Sequence, residues 1–526
     1  MAEAQAEVIA FLGEGRSYGA PGALVERTET HISIVFLVGE RAYKLKRAVR
    51  FSYVDYSTLA LREAYCRREL ALNRRSAPEL YLRVRAITRA PGGGLEFDGA
   101  GPAVEFVLEM RRFAQEALLD QLAARGGLTR ELMRGVTDEI AGFHAAAEVM
   151  PGFGGAAAVR AVIVGNAENL ARAAPLLDAD AAQAVSAAAL AALARLSALL
   201  EARKAAGKVR RCHGDLHLRN ICLLEGQPLL FDCIEFNDEF SCIDVLYDLS
   251  FLLMDLLHLG FADLANGVCN RYLDRTGDWE GMALLPLFIS MRAAVRAHVL
   301  AAQYRATPAA QTLAAARAYL ALAGAALRGG TPFVLAIGGM SGTGKSTIAA
   351  ALAGRLGPVP GARVIRSDVL RKMLAGVGPE VRLPASAYDA KTSARVYARM
   401  WGQARSVLGG GYPVILDASF LAGTRREEAR MLAAREGVAF CGVWLEARAG
   451  LLAARLAARR DDASDADAAV MRGQAVEGVV DWLAVDAAAA VETQVARILA
   501  ALPLGILAAL PPGAEAPRGA FGKSGL

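Results

Sequence analysis

The sequence predicts an α/β chain in two parts, an N-terminal α+β region and then an α/β/α domain built on a parallel sheet. Three observations point there. Short β-rich runs crowd the chain up to about residue 110 and give way to alanine-rich helical sequence. The stretch Gly329-Gly330-Thr331-Pro332 then punctuates the chain. From Phe333 onward, apolar strand signals alternate with helical sequence, the pattern of parallel strands joined by crossover helices.

Taken in order, residues 31–38 and 41–46 are β-rich runs separated by Gly39-Glu40, a hairpin signal. Residues 57–73 carry Leu59, Ala60, Cys66 and Leu70 at helical spacing, with Ser57 at the expected cap. Strands resume at 81–88 and 104–109, divided by the turn-forming Pro91-Gly92-Gly93-Gly94. Residues 115–207 read as helices, 211–248 as loops and short strands dense in charge, and 249–327 as helices again. Strand signals follow at 333–337, 363–366, 414–416 and 440–445. On this reading residues 1–328 form the first domain and 331–503 the second. Residues 504–526, rich in Gly, Pro and Ala, are expected to be a disordered tail.

Composition narrows the function classes. The chain has 526 residues and 54% hydrophobic content, much of it alanine. The best apolar run, 282–300, is interrupted by Arg292 and Arg296 and reads as a buried helix, short of the ~20 uninterrupted residues that span a bilayer. The N-terminal sequence lacks a basic n-region and an adequate apolar core, so the expected compartment is the cytoplasm, with no membrane partner. Seven cysteines show neither a CxxC pair nor zinc-type spacing. A net charge of +5 with interspersed signs does not call for a nucleic-acid partner.

Residues 339–347 read Gly-Met-Ser-Gly-Thr-Gly-Lys-Ser-Thr and satisfy G-x-x-x-x-G-K-[ST], with an apolar strand before and a helix-compatible run after. Gly339, Ser341, Gly342, Thr343, Gly344, Lys345, Ser346 and Thr347 are therefore the expected triphosphate contacts. Glycines let backbone N–H groups turn toward the phosphates, Lys345 reaches the outer ones, and the Ser346 hydroxyl suits Mg2+. The similar Gly522-Lys523-Ser524 has Pro517 where the first glycine belongs and no strand before it, so it is no second site.

Three features favour a kinase over a switch or motor ATPase. Asp368, just after the second strand, suits a carboxylate that takes a proton from an acceptor hydroxyl. Asp417 ends an apolar strand and suits a magnesium or water contact. Arg448, Arg455, Arg459 and Arg460 lie on helical sequence that could close over the transferring group, Arg455 and Arg459 foremost. Residues 333–501 resemble the small P-loop kinases, the group that includes gluconate kinase, zeta toxin and polynucleotide kinase. The resemblance implies that Asp368 and Arg371 bind the phosphoryl acceptor.

A second constellation lies upstream. His213-Gly-Asp215-Leu-His217-Leu-Arg-Asn220 is followed by Asp232 in the apolar run LLFDCIEF, the spacing of a protein-kinase catalytic loop and metal loop. Asp215 would orient or deprotonate an acceptor hydroxyl, and Asn220 and Asp232 would hold magnesium ions. His213 would brace the loop, with Asp248 holding it from the helical side; His217 and His144 suit packing roles. Lys44 and Lys46 share one face of a strand, and Lys46 is the better phosphate lysine by its apolar neighbour Leu45. Glu69 would orient it, with Glu63 as the other choice.

No G-x-G-x-x-G occurs between Thr28 and Glu40, which departs from conventional protein kinases. Residues 25–300 instead resemble the aminoglycoside phosphotransferase family, whose loop H-G-D-x-H-x-x-N appears here as HGDLHLRN. The whole arrangement is similar to the bacterial family of bifunctional aminoglycoside phosphotransferase/ATP-binding proteins. That resemblance implies a two-lobed, α+β protein-kinase-like domain fused to a P-loop NTPase domain. The expectation is an ATP- and Mg2+-dependent phosphotransferase with two nucleotide sites, each serving a small hydroxylated acceptor that the sequence does not identify. The alternative is a nucleotide-sensing regulator, with the P-loop half an ATPase switch and the kinase-like half a binding module without turnover.

Overall fold

The structure, a computed structural model, describes residues 2–51, 53–458 and 463–503. Its contacts divide the chain into two compact units. The first holds the described residues up to Val162 together with Ser197–Asp255; the second holds Ile163–Leu196 and those from Leu256 on.

A six-stranded antiparallel sheet heads the first unit, in the order Glu26–Glu29, Ser33–Val38, Arg41–Lys46, Ala103–Arg111, Tyr81–Arg89, Leu95–Phe97. The Gly39-Glu40 hairpin sets the register, pairing Phe36 with Tyr43 and Ser33 with Lys46. One face buries Ile34, Phe36, Leu45, Ile87 and Val107 against Val8 and Leu12 of the helix Ala2–Leu12, an element the sequence did not announce. The expected helix is present as Leu59–Asn73, but its cap is Thr58 and not Ser57. Thr58 accepts from the Leu61 N–H, while Ser57 turns its hydroxyl to Asp55.

The second unit is centred on a five-stranded parallel sheet in the order Arg363–Arg366, Val414–Asp417, Phe333–Gly339, Ala439–Glu446, Leu483–Asp486. The four strands read from sequence are there; the fifth, Leu483–Asp486, is half-exposed and too short to stand out among alanines. Every residue of the central strand Phe333–Gly339 is buried, the condition of a strand covered on both faces.

Helices upstream of the Gly-Gly-Thr-Pro punctuation pack with this sheet, so the compact units do not part at residues 328–331. Arg363, 1% exposed on the edge strand, donates to Asn270 and pairs with Asp274 of the helix Ala262–Thr276. Asn266 of the same helix donates to the Ala362 carbonyl. Two helical stretches among the described residues, Ala179–Ala205 and Trp279–Ala306, have the length and composition of a membrane span, contrary to the sequence reading that none reaches it. Alanine makes the first apolar, and the second is mostly buried within the protein. All seven cysteines are free thiols, six of them buried.

Candidate functional site

In the first unit the loop after the strand Val209–Arg211 is held from beneath by one carboxylate. Asp248, fully buried, accepts from the backbone N–H groups of His213 (3.0 Å) and Gly214 (2.8 Å) and from His144 Nε2 (3.0 Å). Cys212 completes a buried His144–Cys212–Asp248 cluster, where burial pushes its thiol far up. The cluster braces the loop. Gly214 is required here: its φ is +88°, and a Cβ would stand 2.8 Å from the Phe240 carbonyl oxygen. His213 carries its proton on Nε2, which donates to the Phe231 carbonyl (2.8 Å), while Nδ1 accepts from the Asp215 N–H (3.3 Å).

The brace presents Asp215 with its side chain 36% exposed. Asn220 donates from Nδ2 to the Asp215 carbonyl (2.9 Å) and to its carboxylate (3.0 Å). His217 Nε2 lies 3.3 Å from the same carboxylate, and its ring packs edge-on against Phe251. Asp232 sits at φ +65°, its N–H bound to the Tyr81 hydroxyl. Magnesium prefers hard oxygen donors. Asn220 fits: its Nδ2 is spent on Asp215, so its Oδ1 is the atom left to serve as a ligand. The Asp232 carboxylate, 42% exposed, fits as well.

Both lysines of the strand Arg41–Lys46 reach Glu69, at 2.8 Å from Lys44 and 2.6 Å from Lys46. Their other partners separate them. Lys44 pairs with Asp232 at 2.5 Å, whereas Lys46, 1% exposed, is enclosed by Glu69, Glu235 and Tyr56. The strand thus carries Lys46, the lysine preferred from sequence, inward and leaves Lys44 beside Asp232. Burial alone would lower both ammonium groups; Asp232 and Glu69 hold Lys44 well above the ordinary lysine value, and Glu235 and Glu69 do so for Lys46. Burial likewise works against the Glu69 carboxylate, but the two ammonium groups hold it well below the usual range. Glu63 pairs with Arg67 on the exposed side of the helix and takes no part.

In the second unit the strand Phe333–Gly339 delivers the loop and the helix Lys345–Ala353 leaves it. Gly339 has φ +141°, and a Cβ there would lie 2.7 Å from the Leu445 carbonyl. Lys345 Nζ folds back on the Gly339 and Met340 carbonyls, 2.9 Å from each. Ser346 donates to Asp417 at 2.6 Å, and Arg366 approaches the same carboxylate at 3.3 Å. An oxygen pair of this kind fits magnesium held by the hydroxyl with the carboxylate behind it. Thr343 closes the loop onto Met340, and Thr347 is exposed on the first helical turn.

Asp368 is in the first turn of Ser367–Leu374, whose cap makes no side-chain bond. Burial raises its carboxyl, with Asp417 adding to the rise against the pull of Arg366 and Lys345. Arg371 is 8% exposed and occupied: it donates to the Ala387 carbonyl (2.7 Å) and the Ser393 hydroxyl (3.3 Å), and lies over Tyr388. Arg455 donates to the Ala487 carbonyl (2.9 Å), and one of its terminal nitrogens lies 3.9 Å from where a Cβ on Gly344 would stand. It therefore borders the helix end of the loop and the turn after the last strand. Arg459, Arg460 and residues 504–526 fall outside the described residues.

Several polar residues at these sites carry no sequence signal of their own. Glu235 lay in view, three residues after Asp232 in the same apolar run, but Tyr56, Asp465 and Gln474 belong to no motif. Asp465 accepts from Lys372 (2.7 Å), the Leu383 N–H (2.9 Å) and the Tyr388 hydroxyl (2.6 Å), and Gln474 bonds Ser341.

Comparison with known proteins finds a family model over part of each half of the chain. The profile of the phosphotransferase enzyme family covers residues 63–285, and that of an AAA domain covers residues 334–476. Uncharacterized proteins Rv2004c of Mycobacterium tuberculosis and Mb2027c of Mycobacterium bovis are each 31% identical over 468 residues, 87% of this chain and 91% of theirs. Among solved structures, a choline/ethanolamine kinase family protein from Mesorhizobium loti is similar over 62% of this chain and 95% of its own, at 15% identity and a TM-score of 0.36. A gluconokinase from Sinorhizobium meliloti 1021 is similar over 34% of this chain and 94% of its own, at 23% identity and a TM-score of 0.25. The chain belongs to the family of two-domain proteins that join an aminoglycoside phosphotransferase-type domain to a P-loop kinase-like AAA domain, and it is a kinase-type phosphotransferase.

Proposed function

We propose that the protein carries two separate nucleotide sites, each transferring the γ-phosphoryl group of ATP to a hydroxyl of a small acceptor. The observation that carries this reading is the completeness of both sets of groups. Asp215, Asn220, Asp232 and Lys44–Glu69 stand together in one unit, and Lys345, Ser346, Asp417 and Asp368 in the other.

At the first site Asp215 accepts the proton of the acceptor hydroxyl as its oxygen bonds to the γ-phosphorus. The bond from that phosphorus to the bridging oxygen breaks, and ADP leaves with the electron pair. Asn220 fixes the Asp215 carboxylate. Lys44 is the phosphate lysine, and Lys46 is a buried support for Glu69. At the second site Asp368 is the acceptor-side carboxylate, its raised basicity suited to taking a proton. Arg371 positions the wall of that pocket through Tyr388 and residues 387–393. Arg455 steadies the loop at Gly344. Magnesium, held by Asn220 and Asp232 in one unit and by Ser346 with Asp417 in the other, would neutralise charge on the β- and γ-phosphates.

Calorimetric titration of the full chain with magnesium and a non-hydrolysable ATP analogue tests the arrangement. Two equivalents per chain are expected for the wild type and one for Lys345→Ala. A single equivalent in the wild type contradicts the two-site reading.

A further inference from the structure

The segment that follows residues 459–462 touches both ends of the second site. At its near end Asp465 is fastened to Lys372, Tyr388 and the Leu383 N–H, on the acceptor side of the pocket. Asp467 then caps the short helix Ala468–Arg472. Beyond that helix, Gln474 lies on the phosphate-binding loop itself. At the far end the Glu477 N–H donates to the Leu421 carbonyl (3.0 Å), and Arg426 donates to the Glu477 carbonyl.

The contact of Gln474 has a defined polarity. A backbone N–H can only donate, so the atom 2.9 Å from the Ser341 nitrogen is Gln474 Oε1. Nε2, 2.8 Å from the Ser341 hydroxyl oxygen, donates to it. Ser341 is inside the loop whose N–H groups hold phosphate oxygens. The Lys345 ammonium, which serves the outer phosphates, rests on the carbonyls of Gly339 and Met340 immediately before it. Ser341 therefore belongs to the outer-phosphate end. A phosphate oxygen and the Gln474 carbonyl are both acceptors, and they need the same donor.

We propose that Gln474 is a stand-in for an outer phosphate oxygen, which a nucleoside triphosphate must displace from Ser341 to bind. The inference rests on the reading of this loop as a triphosphate site and deepens it. Gln474 sets the affinity and timing of nucleotide entry, and its release loosens a segment whose other end is anchored at the acceptor pocket by Asp465. Nucleotide arrival is in this way communicated to the acceptor side before any acceptor is bound. Gln474 is a positioning residue, since it acts through Ser341 and touches no reacting atom.

The test is a titration of the full chain with magnesium and a non-hydrolysable ATP analogue, with Lys345→Ala defining the heat that belongs to the other site. Gln474→Ala removes the competitor, and triphosphate binding at this loop tightens by roughly threefold to tenfold, the worth of one neutral hydrogen bond no longer broken. Gln474→Glu keeps an acceptor on the Ser341 N–H and adds negative charge, so binding weakens. Unchanged or weaker binding in Gln474→Ala overturns the inference. Binding by Gln474→Glu at wild-type strength or tighter overturns it too, whether or not Gln474→Ala folds. If the wild type shows no Lys345-dependent binding at all, the triphosphate reading fails and this inference with it, an outcome distinct from equal binding by wild type and variant.

Discussion

Lys44 and Lys46 are two residues apart on one strand and share one carboxylate, yet their environments assign them different work. Lys44→Ala leaves Glu69 paired with Lys46, so the fold should persist while kcat/KM at the first site falls by about a hundredfold to a thousandfold, the usual cost of one charge-stabilising donor. Lys46→Met leaves Glu69 and Glu235 facing each other in the interior, and breaking a buried pair in this way costs about 3–5 kcal/mol. Chemical denaturation of the two variants beside activity separates the roles. Asp368 offers the opposite combination. Its raised carboxyl means that the fold resists its ionisation, so this destabilisation is absent below the ordinary aspartate range and grows as pH rises through the elevated value. Asp368→Asn should therefore raise the melting temperature at pH 7 while lowering transfer at the second site by about 10²–10⁴-fold.

At the scale of elements, the parts legible in the sequence are those whose information is contiguous. The phosphate loop, its strand and its helix were readable because glycines, lysine and serine sit at fixed offsets in 339–346 and an apolar run leads in. HGDLHLRN was readable for the same reason, and Asp248 was found beneath it as expected. What escaped depends on burial or on distant pairing. Strand parity puts Lys44 and Lys46 on one face but does not say which is deeper; that is decided by Glu235 and Tyr56, which come from elsewhere in the chain. The helix Ala2–Leu12 is fixed by packing on the sheet through Val8 and Leu12, and the strand Leu483–Asp486 by pairing with Ala439–Glu446. Gln474 belongs to no motif, and only its folded position against Ser341 marks it.

The strand and helix that meet at Glu69 also predict an acid response. Glu69 is held as a carboxylate well below its ordinary range by Lys44 and Lys46, so its contribution to stability is fully present above that range, about pH 4.3, and is lost as pH falls through the depressed value. Acid unfolding followed by tryptophan-independent far-UV circular dichroism should shift to higher pH in Lys46→Met than in wild type. An unshifted acid transition would mean that the Glu69 pairs do not couple folding to protonation.

At the scale of the whole molecule, the two compact units each have their own sheet, and on the proposed function each carries its own catalytic carboxylate, lysine and magnesium-suited oxygens. Two independent transfers are the central claim, and labelled product reports on them most directly. The full chain is incubated with γ-labelled ATP, magnesium and fractionated small-molecule extract, and the labelled products of wild type, Asp215→Asn and Lys345→Ala are separated. The account predicts that each variant loses a different labelled product and keeps the other. Loss of the same product in both variants, or wild-type labelling in both, would contradict it.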